Sequence, residues 1–279
     1  MKTPNAAALL LGMLVLAGSG GGQMPTGEGS GPEWEGFLKT AGISDSIQLG
    51  GADAVSKPWK LTLEKNGRAR FGLWKNIDGT EGGAPDRWRY EIAAYRLSLI
   101  VGVEMVPATV ERRFNGEKGS LQLWMNDTAS LKKLTQAGRA VPPERTADWN
   151  RAAYLQRAFD SLIAGIDRNA NNILVTPDWR MILVDHSRAF RVDPPFGDGL
   201  LFGAAGLMKG PDGGSLPLWP LPRKFVDALR GLEAKAVKAA VKPHLTDREI
   251  KAVIVRAGRL LAEIDAAVAA KGEDKVLYE

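Results

Sequence analysis

The hydrophobic and polar positions of the chain fall into two textures. Apolar and polar residues alternate from Trp59 to Lys65 (WKLTLEK), Asn66–Gly67 is a hairpin-turn signal, and Arg68–Lys75 (RARFGLWK) continues the pattern, which predicts two antiparallel strands. A Gly-rich loop is expected through Pro85. In the run RWRYEIAAYRLSLIVG that follows, Tyr90, Ala93, Ala94, Leu97 and Ile100 or Val101 recur at helical spacing, predicting an amphipathic helix that ends at Gly102. Two more strands are predicted, MVPATVERRF from Met105 and GSLQLWM from Gly119, separated by the turn Asn115–Gly116. The first half therefore reads β-β-α-β-β.

Beyond Asp127 the periodicity lengthens. Trp149, Ala153, Leu155, Phe159, Leu162 and Ile163 mark a long helix, and the runs ILV and MILV bracket the turn Thr176–Pro177–Asp178 as a buried hairpin. Residues 194–222 are loop-rich. The tail is helical, with one face at Phe225, Val226, Leu229 and Leu232 and another at Ile250, Val253, Ile254, Ala257, Leu261 and Ile264; Thr246 and Glu249 form a capping box that starts the last helix. The chain shows no internal repeat.

The N-terminal segment is a separate object. Lys2, the apolar run Ala6–Ala17 and the small residues after it have the order of a secretory signal, and the run is too short to span a bilayer, which takes about 20 apolar residues. Residues 1–23 are read as a signal peptide, with cleavage after Ser19 or nearby, and residues 24–32 as a Gly-rich flexible linker. Export to a periplasm or the exterior follows, with no stable membrane anchor after cleavage; an uncleaved anchor, or a misassigned start that leaves the protein cytoplasmic, is the alternative. Residues 33–126 and 127–279 then form two lobes of an α+β fold, β-rich and mainly helical respectively.

Composition narrows the chemistry. The 279 residues are 44% hydrophobic and 25% charged, ordinary globular proportions, and the net charge of +5 is spread along the chain, unlike a nucleic-acid-binding stripe. With no Cys, disulfides, thiolate metal sites, a Cys nucleophile and a lipid-modified Cys are excluded, and the only histidines are His186 and His244. Catalysis must lean on Asp, Glu, Lys and Asn. Asp167, Asn172 and Asp185 surround the second-half hairpin, which would gather all three at one end. Two carboxylates and an amide oxygen suit Mg²⁺, a hard cation that shares its ligands with phosphates. Their order also fits phosphoryl transfer, with an Asp that accepts a hydroxyl proton, an Asn five residues later and a further Asp after a strand pair. Taken singly, each is equally an Asx residue satisfying a turn. Lys75 ends the second strand and Glu91 lies early in the following helix, the order required of a phosphate-binding Lys and its ion-pair partner; a solvated edge Lys and a helix-start Glu are the plain alternatives.

These residues carry a resemblance. FDSLIAGIDRNANNILV and MILVDHSRAF resemble the catalytic and metal-binding segments of the atypical kinases: type II phosphatidylinositol 4-kinases, HipA-type bacterial protein kinases and secretory-pathway Fam20-type kinases. RYEIAAYRLSLIVGVEMVPATV is similar to the helix and strand after their ATP lysine. The likeness implies a two-lobed protein-kinase-like fold, ATP and Mg²⁺ as cofactors, Asp167 as catalytic base, Asn172 and Asp185 as Mg²⁺ ligands, Lys75 as phosphate-binding cation and Glu91 as its partner. Gly50, Gly51, Ser56 and Lys57 would lie in a phosphate-covering loop or a plain turn, and Gln122, Leu123 and Trp124 at the adenine-contacting link or in ordinary core. His186 would hydrogen-bond Asp185 or be a satisfied structural His, and Arg168 would contact phosphate or balance charge. The implied activity is γ-phosphate transfer to a hydroxyl, with protein Ser/Thr favoured over a sugar or lipid. The alternatives are an exported nucleotide-binding pseudokinase and a purely structural secreted domain.

Overall fold

The structure, a computed structural model, describes residues 31–50, 57–81 and 83–279. The expected signal peptide and nearly all of the expected linker lie outside these residues. The N-lobe is built on a five-stranded antiparallel sheet with order β1-β2-β3-β7-β6. The strands are β1 (Gly42–Gln48), β2 (Trp59–Lys65) and β3 (Arg68–Lys75) as a meander, followed by the hairpin β6 (Thr109–Phe114) and β7 (Glu117–Leu123). Both Asn-Gly turns form as expected: Asn66 and Asn115 have φ near +50°, and a Gly with positive φ follows each.

Three elements here depart from the sequence reading. Residues 32–40 form a helix, α1 (Pro32–Thr40), so the linker gives way to structure at Pro32; β1 adds a fifth strand; and the expected Gly-rich loop contains a short hairpin, β4 (Asp78–Glu81) with β5 (Ala84–Arg87). Strand β1 (GISDSIQ) carries almost no buried positions, so it lacks the apolar alternation by which a strand is recognised.

One face of the sheet is the N-lobe core. Leu61, Leu63, Trp74, Val110, Leu121 and Leu123 pack there against α1 and α2 (Trp88–Ile100), and all are buried. Gly119 is required at this point, since a Cβ would collide with the Lys75 carbonyl and the Trp74 ring. The opposite face is defined by register: Ile47 pairs with Lys60, Lys60 with Leu73, Leu73 with Gln122 and Lys75 with Ser120. That face looks towards the second lobe.

The second lobe begins with β8 (Ala129–Ser130) and α3 (Leu131–Gln136), followed by the expected long helix α4 (Thr146–Ile163) and the hairpin β9 (Ile173–Val175) with β10 (Met181–Leu183). After a loop-rich stretch come β11 (Leu221–Pro222), α5 (Arg223–Arg230), α6 (Ala234–Val241), which the sequence reading did not separate, and α7 (Asp247–Lys271). The capping box at Thr246 and Glu249 is present. The chain closes with α8 (Glu273–Val276) and β12 (Leu277–Tyr278), the latter beside β11. Helix α6 packs on α2, and Tyr90 of α2 donates a 2.5 Å hydrogen bond to Glu249 Oε1 of α7, so the helix carrying Glu91 is gripped from the helical lobe. Among the described residues no helix is long and apolar enough to cross a membrane.

Candidate active site

The helical-lobe half of the site is stitched together by one guanidinium. Asp160, in the last turn of α4, is fully buried and accepts a hydrogen bond from Gln156. Arg168 donates from Nε and Nη2 to the two oxygens of Asp160, at 3.1 Å each, and from Nη1 to the carbonyls of Asn172 (2.8 Å) and Val184 (2.6 Å). One side chain therefore ties the end of α4, the loop to Asn172 and the exit of β10 into a unit. Of its two expected roles Arg168 takes the charge-balancing one, because its donors are turned inward and occupied. Asn172 Nδ2 donates to the Asp167 carbonyl at 2.8 Å, which leaves its amide oxygen outside that bond. Asp167, Asn172 and Asp185 thus meet at one end of the hairpin, as the sequence suggested.

The sheet-side half is joined by charge. Lys75 Nζ lies 2.7 Å from Glu91 Oε1 and 2.8 Å from Asp185 Oδ1. Burial alone would lower the Lys75 pKa, but the two carboxylates overcome it and hold the pKa above its ordinary value, so the ammonium stays charged. For Glu91 burial pushes the pKa up; the Lys75 charge and its hydrogen bond outweigh it and hold the carboxyl well below the usual range. The second Glu91 oxygen accepts the backbone N–H of His186 at 2.9 Å, which pins the turn at Asp185, a residue with φ +60°, to α2. Ser187 Oγ donates to Asp185 Oδ1 at 3.2 Å.

His186 differs from both of its expected roles. Its ring is buried edge-on to Phe159 and has no hydrogen-bond partner at either nitrogen among the described residues, with Nδ1 3.6 Å from Glu91 Oε2. Burial, aided by the Arg168 charge, lowers its pKa, so it packs as a neutral ring and makes no bond to Asp185.

The face between the lobes carries Ile47, which is 58% exposed, together with Lys60, Leu73 and Gln122. Lys60 Nζ sits over the rings of Phe71 (4.0 Å) and Trp124 (4.6 Å). Of the three residues expected at the link, Gln122 is tied to Thr109 Oγ1 at 3.1 Å and Trp124 borders Lys60, its backbone N–H donating to the Phe71 carbonyl. Leu123 is displaced: strand parity turns its side chain into the N-lobe core, away from this face. In the β1–β2 connection Gly50 has φ +105° and Lys57 is exposed, while Gly51 and Ser56 lie outside the described residues. Lys57 and Lys75 both line a cavity of about 480 Å³, together with Gln48, Trp59, Asn76 and Glu117.

Three residues of this region escaped the sequence reading. Asp86, on β5, is 5% exposed; its Oδ2 accepts from Arg188 Nε at 3.3 Å, and its Oδ1 is buried with no partner among the described residues. Burial pushes the Asp86 pKa up. An Asp just before a helix reads as a cap, yet α2 has no side-chain cap bond. Arg188 also places Nη1 3.7 Å from Asp167 Oδ2. Arg256 of α7 is fully buried and donates to the carbonyls of Leu162, Arg191 and Phe196, which fixes the segment after Asp185 to the end of α4. Burial lowers its pKa to about 10, so it remains charged at neutral pH.

No protein-family model and no curated protein matches this chain. Solved structures do. The Golgi casein kinase superposes with a TM-score of 0.57 at 13% identity, over 88% of this chain and 78% of that one. The Helicobacter pylori proinflammatory kinase CtkA superposes with a TM-score of 0.54 at 10% identity, over 84% of this chain and 96% of that one. At these identities the likeness is one of fold: the chain shares the kinase-like fold of these structures, a β-sheet region followed by a helical one.

Proposed function

We propose that the chain is an ATP- and Mg²⁺-dependent phosphotransferase acting on a hydroxyl acceptor, with protein Ser or Thr as the favoured class. The observation that carries this reading is Lys75 Nζ held between Glu91 and Asp185, two carboxylates from different lobes. A charged, desolvated ammonium at this point is suited to phosphate oxygens, and Glu91 keeps it there. Asp167, with a side chain about one-third exposed, accepts the acceptor's proton as its oxygen attacks. The apolar face at Ile47 and Leu73 suits a nucleobase. A protein acceptor draws support from the casein-kinase name of one structural neighbour, and the leading apolar segment supports action outside the cytosol.

Among the described residues no group of three or more His, Cys, Asp or Glu side chains could hold an ion, so a cation here rests on the Asp185 carboxylate and the Asn172 amide oxygen, with the remaining positions left to water and phosphate. That all-oxygen, incomplete set fits Mg²⁺, which keeps several waters and shares substrate phosphates. The ion would supply charge neutralisation to the phosphates.

The reading is tested by thermal stability of the purified chain with ATP, with and without Mg²⁺. Mg²⁺-dependent stabilisation that is lost in Asp185→Ala is expected. Absence of stabilisation with any divalent cation overturns the nucleotide reading, and binding without any γ-phosphate transfer leaves the exported pseudokinase instead.

A further inference from the structure

A nucleotide is held at two ends, and Lys75 accounts only for the phosphates. At the other end, the face that suits a nucleobase carries two polar side chains with no part in the phosphate chemistry. Lys60 of β2 pairs with Leu73 of β3, and Leu73 pairs with Gln122 of β7, so the three lie in a row across one face of the sheet. Lys60 leans along that face until its ammonium stands 4.0 Å over the Phe71 ring and 4.6 Å over the Trp124 ring. Those rings are its only partners among the described residues, so the ammonium is placed by cation–π attraction and all its hydrogen-bond donors are left over.

Gln122 is the opposite case. Its side chain is buried, and Nε2 donates to Thr109 Oγ1 at 3.1 Å. The Thr109 hydroxyl gives its own proton to the Pro107 carbonyl at 2.9 Å and can only accept from Gln122, which turns the amide nitrogen towards Thr109 and leaves Oε1 as an acceptor. Either side of Leu73 the face therefore offers a charged donor and a neutral acceptor. Adenine and guanine differ at position 6, where adenine carries an amino donor and guanine a carbonyl acceptor; a Gln oxygen matches the first and a Lys ammonium the second. A wholly apolar face would leave the guanine oxygen desolvated without a partner, and Lys60 removes that penalty.

Resting on the phosphotransferase reading above, we infer that the site takes GTP as well as ATP as phosphate donor, with Lys60 donating to O6 of guanine and Gln122 Oε1 accepting from the amino group of adenine. The transfer is the same for either base. The acceptor oxygen bonds to the γ-phosphorus as its proton passes to Asp167, and the bond from that phosphorus to the bridging oxygen breaks, its electron pair leaving on GDP or ADP. Lys60 and Gln122 set the choice of donor and have no part in that step.

The test measures the affinities of the purified chain for Mg²⁺ with the non-hydrolysable β,γ-imido analogues of ATP and GTP, alongside γ-phosphate transfer from ATP and from GTP. The unsubstituted chain should bind the GTP analogue within about tenfold of the ATP analogue and transfer phosphate from both. Lys60→Met keeps an unbranched side chain over the two rings but has no donor, and should move the ratio of the two affinities about tenfold towards ATP; Gln122→Met should move it about tenfold towards GTP. The ratio is the readout because any loss of folded protein lowers both affinities alike. Discrimination against GTP greater than about tenfold in the unsubstituted chain, or a ratio left unmoved by Lys60→Met or by Gln122→Met, overturns the inference, while binding and transfer from ATP keep the phosphotransferase reading. If the unsubstituted chain binds neither analogue, that reading fails, and this inference fails with it.

Discussion

The two halves of the site are built by different means. On the helical side Arg168 bonds one buried carboxylate and two backbone carbonyls, so the positions of Asp167, Asn172 and Asp185 are set by local hydrogen bonds within 25 residues of chain. On the sheet side Lys75 and Glu91 belong to separate elements and depend on where α2 lies, which is decided by its packing on α6 and by the Tyr90–Glu249 bond. The first half is a rigid platform. The second is an assembly whose integrity depends on contacts far from the chemistry, and substitutions should tell the two apart.

The largest effect on stability is expected from the platform. Arg168→Met leaves Asp160 buried without its charge partner and should cost about 3–5 kcal/mol in urea unfolding, with activity lost as the loop is released. Lys75→Met should invert that balance: transfer should fall about 100-fold while stability changes by about 1–3 kcal/mol, since Glu91 keeps its bond from the His186 N–H. Equal stability losses in the two variants would dissolve the distinction between platform and assembly. Tyr90→Phe, which removes only the grip of α7 on α2, should cost about 1 kcal/mol and lower transfer without changing the helical-side geometry. Glu249 retains its capping bonds to Thr246 in that variant.

The smallest effect is one of pH. His244, between α6 and α7, lies edge-on to Trp88 of α2, and burial pushes its pKa below the ordinary 6.5; Glu111 opposes the shift, while Arg96, Arg89 and Lys118 add to it. Above about pH 6.5 both folded and unfolded forms are neutral. As pH falls below 6.5 the unfolded chain takes up the proton first, so this residue's share of stability is lost as pH falls. Thermal midpoints measured from pH 7.5 to 5 should therefore decline less steeply in His244→Phe than in the unsubstituted chain.

How far the sequence carries can be argued residue by residue. Elements with strong periodicity were legible: β2, β3, α2, α4 and the capped start of α7 all stand where the pattern put them. Strand β1 was not, because an edge strand with little burial needs no alternation, and α1 was hidden in nine residues next to a Gly-rich run. Leu123 shows a different limit: its strand was recognised, but the face to which it points depends on register, which only the pairing with Gly72 reveals. The five polar residues Lys75, Glu91, Asp167, Asn172 and Asp185 do converge, because their spacing follows the local logic of a loop and a hairpin or of a strand and the next helix. Asp86 and Arg188, 102 residues apart, had no such local signal, and their meeting is a product of how the lobes pack.

The central claim is that this site transfers phosphate and does not merely bind nucleotide. It is tested most directly by Asp167→Asn, measured for Mg²⁺–ATP binding and for γ-phosphate transfer in the same preparation. Binding within about twofold of the unsubstituted chain, with transfer reduced by at least about 100-fold, is the predicted result. Transfer that survives the substitution undiminished would contradict the account.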